Sequence, residues 1–174
     1  MAKIFPGRYT ALVSPRITES YVVLFLGVRV NHLFLFWKWI PTVLVAAPMV
    51  YSLMRHRAAG FLGAQAFFFR PGVGIIQYWR SFDDLERFAR SKKHPHLRGW
   101  RWYNRSIGAS GSVGLWHEAF LVRPGCQETR YDNMPLFGLG RAAKHVPVSE
   151  QQGARLRLGE EASPIELSPS STTL

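Results

Sequence analysis

Six histidines, His32, His56, His94, His96, His117 and His145, are the side chains in this chain best suited to acid–base or ligand chemistry near neutral pH. His96, Trp100 and Asn104 are spaced by four and four, so on a helix they share one face. Such a polar–aromatic stripe can line a binding cavity, and a capping histidine beside a buried Trp explains it equally well. In Trp116-His117-Glu118 the pattern is that of a strand, where neighbours point to opposite sides. Trp116 and Glu118 then share one face, while His117 joins Leu115 and Ala119 on the other. A histidine on an apolar face is commonly a core residue, or else a ligand or proton-transfer group in a pocket. Gln77 and Trp79 share a strand face in the same way, opposite Tyr78 and Arg80. Arg29 closes an apolar run, where it can hold an anion or reach solvent. The histidines and Cys126 have neither zincin nor zinc-finger spacing, which argues against a structural metal. No Ser–His–Asp elbow, phosphate loop or dinucleotide fingerprint is present.

These side chains need elements to hold them. Tyr21–Val30 is rich in β-branched and aromatic residues and reads as a buried strand. Asn31 is placed to cap a helix over roughly 33–57. Ala64–Phe69 and Val73–Arg80 flank Arg70-Pro71-Gly72 and predict a hairpin. Ser81, with Asp84 three residues on, starts a helix that runs to about Ser91. His96–Ile107 reads as another helix and Val113–Val122 as a fourth strand. The order β–α–β–β–α(α)–β is the ferredoxin-like split βαβ pattern, an α+β fold with an antiparallel four-stranded sheet. Helices cover one face of such a sheet. Phe25, Phe67, Phe69, Ile75, Tyr78 and Leu115 cannot all face water, so a homodimer with its sheets face to face is expected. Residues 127–145 show no periodicity, but Tyr131, Met134, Leu136 and Phe137 suit a segment wrapping over the sheet. The expected domain is 1–147, with 148–174 a disordered tail of polar residues.

The chain has 174 residues, 47% of them hydrophobic, and 22 basic against 11 acidic side chains give a formal charge of +11. Residues 1–79 carry 8 basic and 1 acidic side chains, 80–105 carry 8 and 3, and 126–174 carry 5 and 6. The dense basic stretch Arg87–Arg105 interleaves Trp100, Trp102 and Tyr103. One helix is narrower than the stripe that nucleic acid demands, so nucleic acid is not the expected partner. One cysteine excludes an internal disulfide and points to a reducing, cytoplasmic setting. Residues 1–10 lack the apolar run of a secretory signal. Phe34–Met54 holds one charge, Lys38, in 21 residues. Pro41, Pro48 and Lys38 argue against a membrane span, while peripheral membrane contact through 33–57 stays open.

Several strings together resemble known proteins. Gln77-Tyr-Trp-Arg-Ser-Phe-Asp-Asp-Leu-Glu-Arg-Phe-Ala89 looks like the strand-to-helix junction of the antibiotic biosynthesis monooxygenase superfamily, the dimeric α+β barrels. Phe5-Pro-Gly-Arg-Tyr-Thr-Ala11, Val22–Asn31, Gly60-Phe-Leu-Gly63, His96-Leu-x-x-Trp100 with Asn104-Arg105, Val113-Gly-x-Trp-His-Glu118 and Asn133-Met-Pro-x-Phe-Gly138 resemble the DUF4188, or fumagillin-type monooxygenase-like, family. They span roughly residues 4–147. The resemblance implies a monooxygenase-like oxidoreductase with a small hydrophobic or aromatic substrate held between sheet and helices; a non-catalytic small-molecule binder is the alternative, since no self-sufficient catalytic motif is present. It implies either no cofactor, with the substrate carbanion activating oxygen, or haem, as in relatives that degrade haem or dehydrate aldoximes. His96, His117 and Asn104 are the catalytic candidates, with His96 the haem ligand if haem is used. Trp79, Trp100, Trp116, Glu118, Arg29, Tyr131 and Phe137 are the substrate-binding candidates. The helix over 43–54 is more apolar than the amphipathic pattern of such relatives.

Overall fold

A computed structural model describes residues 2–13, 17, 20–56, 60–91 and 96–148, with the side chains of 45–50, 52, 54–56, 96–100 and 109 outside that description. The expected tail, apart from Val148, lies outside the described residues.

The expected order is present. β2 (Tyr21–Val30), α1 (Phe36–His56), β3 (Phe61–Phe69), β4 (Gly72–Trp79), α2 (Phe82–Arg90), α3 (His96–Ser106) and β5 (Val113–Val122) follow one another. β1 (Phe5–Leu12) precedes them, and β6 (Tyr131–Met134), α4 (Gly138–Ala142) and β7 (Lys144–Pro147) follow. The four-stranded sheet has the order β3-β4-β2-β5, with every pairing antiparallel. This is the split βαβ arrangement, mixed α+β as expected. β2 and β5 pair without interruption from Tyr21 opposite Val122 to Val30 opposite Val113.

Strand alternation divides the sheet into two faces. Val22, Gln77 and Trp79 face the helices. Val22 and Trp79 form a core with Leu53 of α1 and Phe61, against which Leu85 and Phe88 of α2 pack. At the other end Val28 and Val113 form a core with Ile107, packed by Trp39 and Val43 of α1 and Trp102 and Tyr103 of α3. Ser81 caps α2, its hydroxyl accepting from the Asp84 N–H at 3.2 Å. The Asp84 carboxylate does not close a full capping box. It is buried between Arg80 and Arg87, both at 2.8 Å.

Three expectations need correction. Asn31 does not cap α1: the side-chain oxygen a cap would use accepts from Arg29 at 3.2 Å, its side-chain N–H group donates to the Gly111 carbonyl at 2.9 Å, and the helix begins only at Phe36. Ile75 and Leu115 lie on the helix face, paired with Leu26 and Val28, so they are not part of the face left for a partner. The segments 5–12 and 127–147 are more than a wrapping: β1, β6 and β7 make a second antiparallel sheet of order β6-β1-β7. That sheet and α4 cover one end of the far face, where Tyr21 and Tyr78 form a core with Ala11, Val13, Ile17 and Leu139.

Candidate functional site

The helix face of the four-stranded sheet is open along part of β5. α2 covers the Val22–Trp79 end and α3 the Val28–Val113 end. Between them His117 pairs with Leu26 and Ala119 with Leu24, and both β5 residues are exposed. Leu121, opposite Val22, is 63% exposed. An imidazole therefore stands on an open apolar strip between two helices. This position lets it accept or donate a proton to a molecule lying along the sheet. Gln77, opposite Leu24, is buried on the same face, with β2 between it and this strip. Its Oε1 accepts from Trp79 Nε1 at 3.0 Å, so the amide is oriented by the indole. The sequence already placed Gln77 and Trp79 on one face, but it did not show that they bond to each other.

The other candidates fall in separate places. Trp79 is fully buried, edge-on to Phe61 at 5.3 Å and close to Phe88. It is a core residue and offers no surface to a substrate. Trp116 and Glu118 are on the far face, opposite Gly27 and Phe25. Arg29 is exposed and its guanidinium donates to Asn31 at 3.2 Å. Asn104 is exposed on α3. His96 opens α3 and Trp100 lies within it, as the spacing predicts, but their side chains lie outside the described residues. Phe137 is 40% exposed just before α4.

Tyr131 has a structural task. Its hydroxyl accepts from the Gly140 N–H at 2.9 Å, satisfying a first-turn donor of α4. Burial pushes the Tyr78 hydroxyl up to about 12, reinforced by nearby Tyr131 and opposed by a hydrogen bond from the Leu139 backbone. Burial does the same to Tyr21, also to about 12, with Tyr78 next in effect. These phenols keep their protons at neutral pH and do not act as bases. Beside them His145 is enclosed by rings. It stacks on Tyr9 and meets Phe5 and Tyr131 edge-on at 5.1 and 5.4 Å. Both of its ring nitrogens are buried and have no hydrogen-bond partner among the described residues. This enclosure joins β1, β6 and β7, and no local sequence signal points to it.

A cavity of about 290 Å³ lies at this end of the far face, lined by apolar residues such as Leu12, Tyr21, Leu62 and Leu139, with Lys144 at its edge. It is at the lower end of small-molecule pockets. Residues 14–16, which follow its Val13 wall, lie outside the described residues. Among the described residues no imidazole or thiolate lines it. Among the described residues no group of three or more His, Cys, Asp or Glu is placed to hold a metal ion.

The far face beyond this cavity is an aromatic floor. Trp116 lies against Gly27 and Phe67 against Gly74, so closely that a Cβ at either glycine would overlap the ring. Gly27 and Gly74 are themselves cross-strand partners. Phe69 meets Trp116 at 6.2 Å and Phe25 meets Phe120 at 5.8 Å, both edge-on.

Element order, sheet order and one helix-covered face define a ferredoxin-like α+β protein. Residues 21–139, more than half of the chain, match the family model "Monooxygenase af470-like", and the chain belongs to that family. A curated relative, "Monooxygenase af470" of Aspergillus fumigatus, is 28% identical over 173 residues, covering 84% of this chain. The chain spans 58% of that relative's length. Among solved structures, an aldoxime dehydratase aligns over 86% of this chain and 45% of its own, at 16% identity and a TM-score of 0.61. A second aldoxime dehydratase, crystallised with butyraldoxime, aligns over 77% and 42%, at 17% identity and a TM-score of 0.53. The cofactor-independent oxygenase SnoaB from Streptomyces nogalater aligns over 60% of this chain and 94% of its own, at 17% identity and a TM-score of 0.42. The likeness to the dehydratases is one of fold.

Proposed function

We propose that this chain is a monooxygenase-like oxidoreductase acting on a small hydrophobic or aromatic organic molecule. The family match over residues 21–139 carries this reading. That span runs from β2 into α4 and takes in the whole four-stranded sheet and the three helices on it. The substrate lies on the open strip of the helix face. His117 removes a proton from an activated carbon of the substrate, and the resulting carbanion gives electrons to molecular oxygen. When the substrate supplies two hydrogens from one methylene, one oxygen atom stays as a carbonyl and the other leaves as water. Atoms and electrons then balance without an external reductant. The protein's share is to bind and orient the substrate against the apolar strip and to hold the proton.

The working unit is a homodimer, supported by the aromatic floor around Trp116 and Phe120, an apolar face too large to leave in water. A cytoplasmic setting is supported by the single thiol of Cys126. Haem held by His96 is the other cofactor reading; a Soret band growing to saturation on haem titration would establish it.

Oxygen uptake tests the main reading. Purified protein is screened against a panel of enolisable and phenolic hydrophobic compounds in an oxygen electrode. Consumption with at least one compound, lost in His117→Ala, supports it. Uptake unchanged in His117→Ala removes His117 from the chemistry, and no uptake with any compound overturns the oxygenase reading.

A further inference from the structure

We propose that the outer side of α1 docks on the surface of an anionic lipid bilayer. This helix is apolar on two sides. Its inner side carries Trp39, Val43 and Leu53 into the two helix-face cores. On its outer side Trp37, Ile40, Leu44 and Tyr51 are 58%, 39%, 62% and 62% exposed. Their spacing of three, four and seven makes one stripe along the helix. Leu33 and Phe34, 61% and 91% exposed, extend the stripe beyond the helix start, and Phe36, its first residue, is 56% exposed. A water-facing helix normally turns a polar side outward. An exposed apolar stripe of this length marks an interaction surface.

Charge identifies the occupant. Residues 1–79 hold eight Lys and Arg and a single acidic residue, Glu19. Lys38 sits beside Trp37 in the first turn of α1, which has no acidic residue. α3, packed against the same core as α1, presents Arg101 and Arg105 to solvent. Phe and Trp rings bordered by basic side chains are the composition of helices that lie in the headgroup layer, where the cations meet anionic lipid. Among the described residues no helix is long and apolar enough to cross a membrane, so the contact is parallel to the surface. The stripe is on the opposite side of the sheet from the aromatic floor. A second copy seated on that floor therefore leaves the stripe uncovered.

Cosedimentation of the full chain with large unilamellar vesicles tests the proposal. Vesicles of phosphatidylcholine with phosphatidylserine are compared with phosphatidylcholine alone, at low and high salt. The chain is expected to sediment with the anionic vesicles and to be released by salt. Phe34→Ser with Trp37→Ser is expected to weaken this binding about tenfold or more. Phe68→Ser, an equally drastic change at an 87% exposed position on β3, should leave it unchanged. No sedimentation with either vesicle overturns the proposal, as does equal binding by the double variant. Should the double variant instead reduce the mass seen by light scattering while wild type ignores vesicles, the stripe is a contact between copies.

Discussion

The imidazole of His145 lies flat on the phenol ring of Tyr9, with centroids 4.4 Å apart and planes 9° from parallel. Strand pairing puts His145 opposite Ala11, the residue two beyond Tyr9 on the same face of β1. Neither ring nitrogen has a partner among the described residues, and burial lowers its pKa below the ordinary 6.5. The folded state therefore favours the neutral ring. Above pH 6.5 the folded and unfolded chains hold this site alike. As pH falls below 6.5 the unfolded chain takes up the proton first, and stability is lost until the folded pKa is passed. Thermal denaturation between pH 7.5 and pH 5 is expected to show a falling Tm, and His145→Phe is expected to flatten that fall. A slope identical to wild type would assign the pH dependence to other groups.

Asp84 locks the junction of β4 and α2. Burial alone would raise its pKa, but hydrogen bonds from Arg80, Ser81 and Arg87 outweigh this and hold it below the usual carboxylate range. Its contribution is therefore present above about pH 4 and lost as pH falls through the lowered folded value. Both arginines are more than half exposed, so on loss of the carboxylate they turn to water. Asp84→Ala is expected to cost about 2 kcal/mol in a denaturant melt at pH 7. Gly60 has φ of +93°, and a Cβ there would overlap the Asp84 carboxylate. Gly60→Ala should destabilise at least as much as the Asp84 change; a neutral result would mean that this turn rearranges freely.

Trp79 and His117 should separate stability from activity. Trp79→Phe leaves the Gln77 carbonyl without its indole donor and opens space beneath Leu53. A loss of about 2 kcal/mol is expected, with turnover per folded molecule kept within a few-fold. His117→Ala, at an exposed position, should leave Tm unchanged and lower turnover by about 10²-fold or more. The reverse pattern in paired melts and oxygen-uptake rates would reassign both residues.

Phe120 is 49% exposed and meets Phe25 edge-on. Phe120→Arg puts a charge into the aromatic floor. Light scattering is expected to show a dimer for wild type and a monomer for the variant, with unchanged far-ultraviolet circular dichroism. A monomeric wild type would remove the sheet-to-sheet assembly.

Most of the four-stranded sheet was legible, because its strands are long β-branched runs and Arg70-Pro71-Gly72 and Ser81 punctuate them in local sequence. The second sheet was not. β6 and β7 are four residues each, too short for a period, and their partner lies in β1, more than 120 positions away. Alternation in β5 correctly set His117 apart from Trp116 and Glu118. Exposure was beyond it: Trp79 looked like a pocket residue because one strand cannot show which helices will close over it. Asn31 failed as a cap for a similar reason, since its amide is held by Arg29 on the oxygen side and by the distant Gly111 carbonyl on the N–H side. Of the basic stretch that suggested nucleic acid, Arg87 and Arg90 pair with Asp84 and Glu86.

The alternation along β5 gives that strand two duties at once. Trp116 and Glu118 belong to the far face, proposed above to seat a second copy, and His117 between them to the helix face, proposed above to hold the substrate. Side-chain direction reverses with every residue, so inserting or deleting one amino acid just before Trp116 would exchange the two surfaces. The indole ring would then face the helices and the imidazole the far face. Length changes in this strand are therefore far more damaging than substitutions, and a viable variant must gain or lose residues here in pairs.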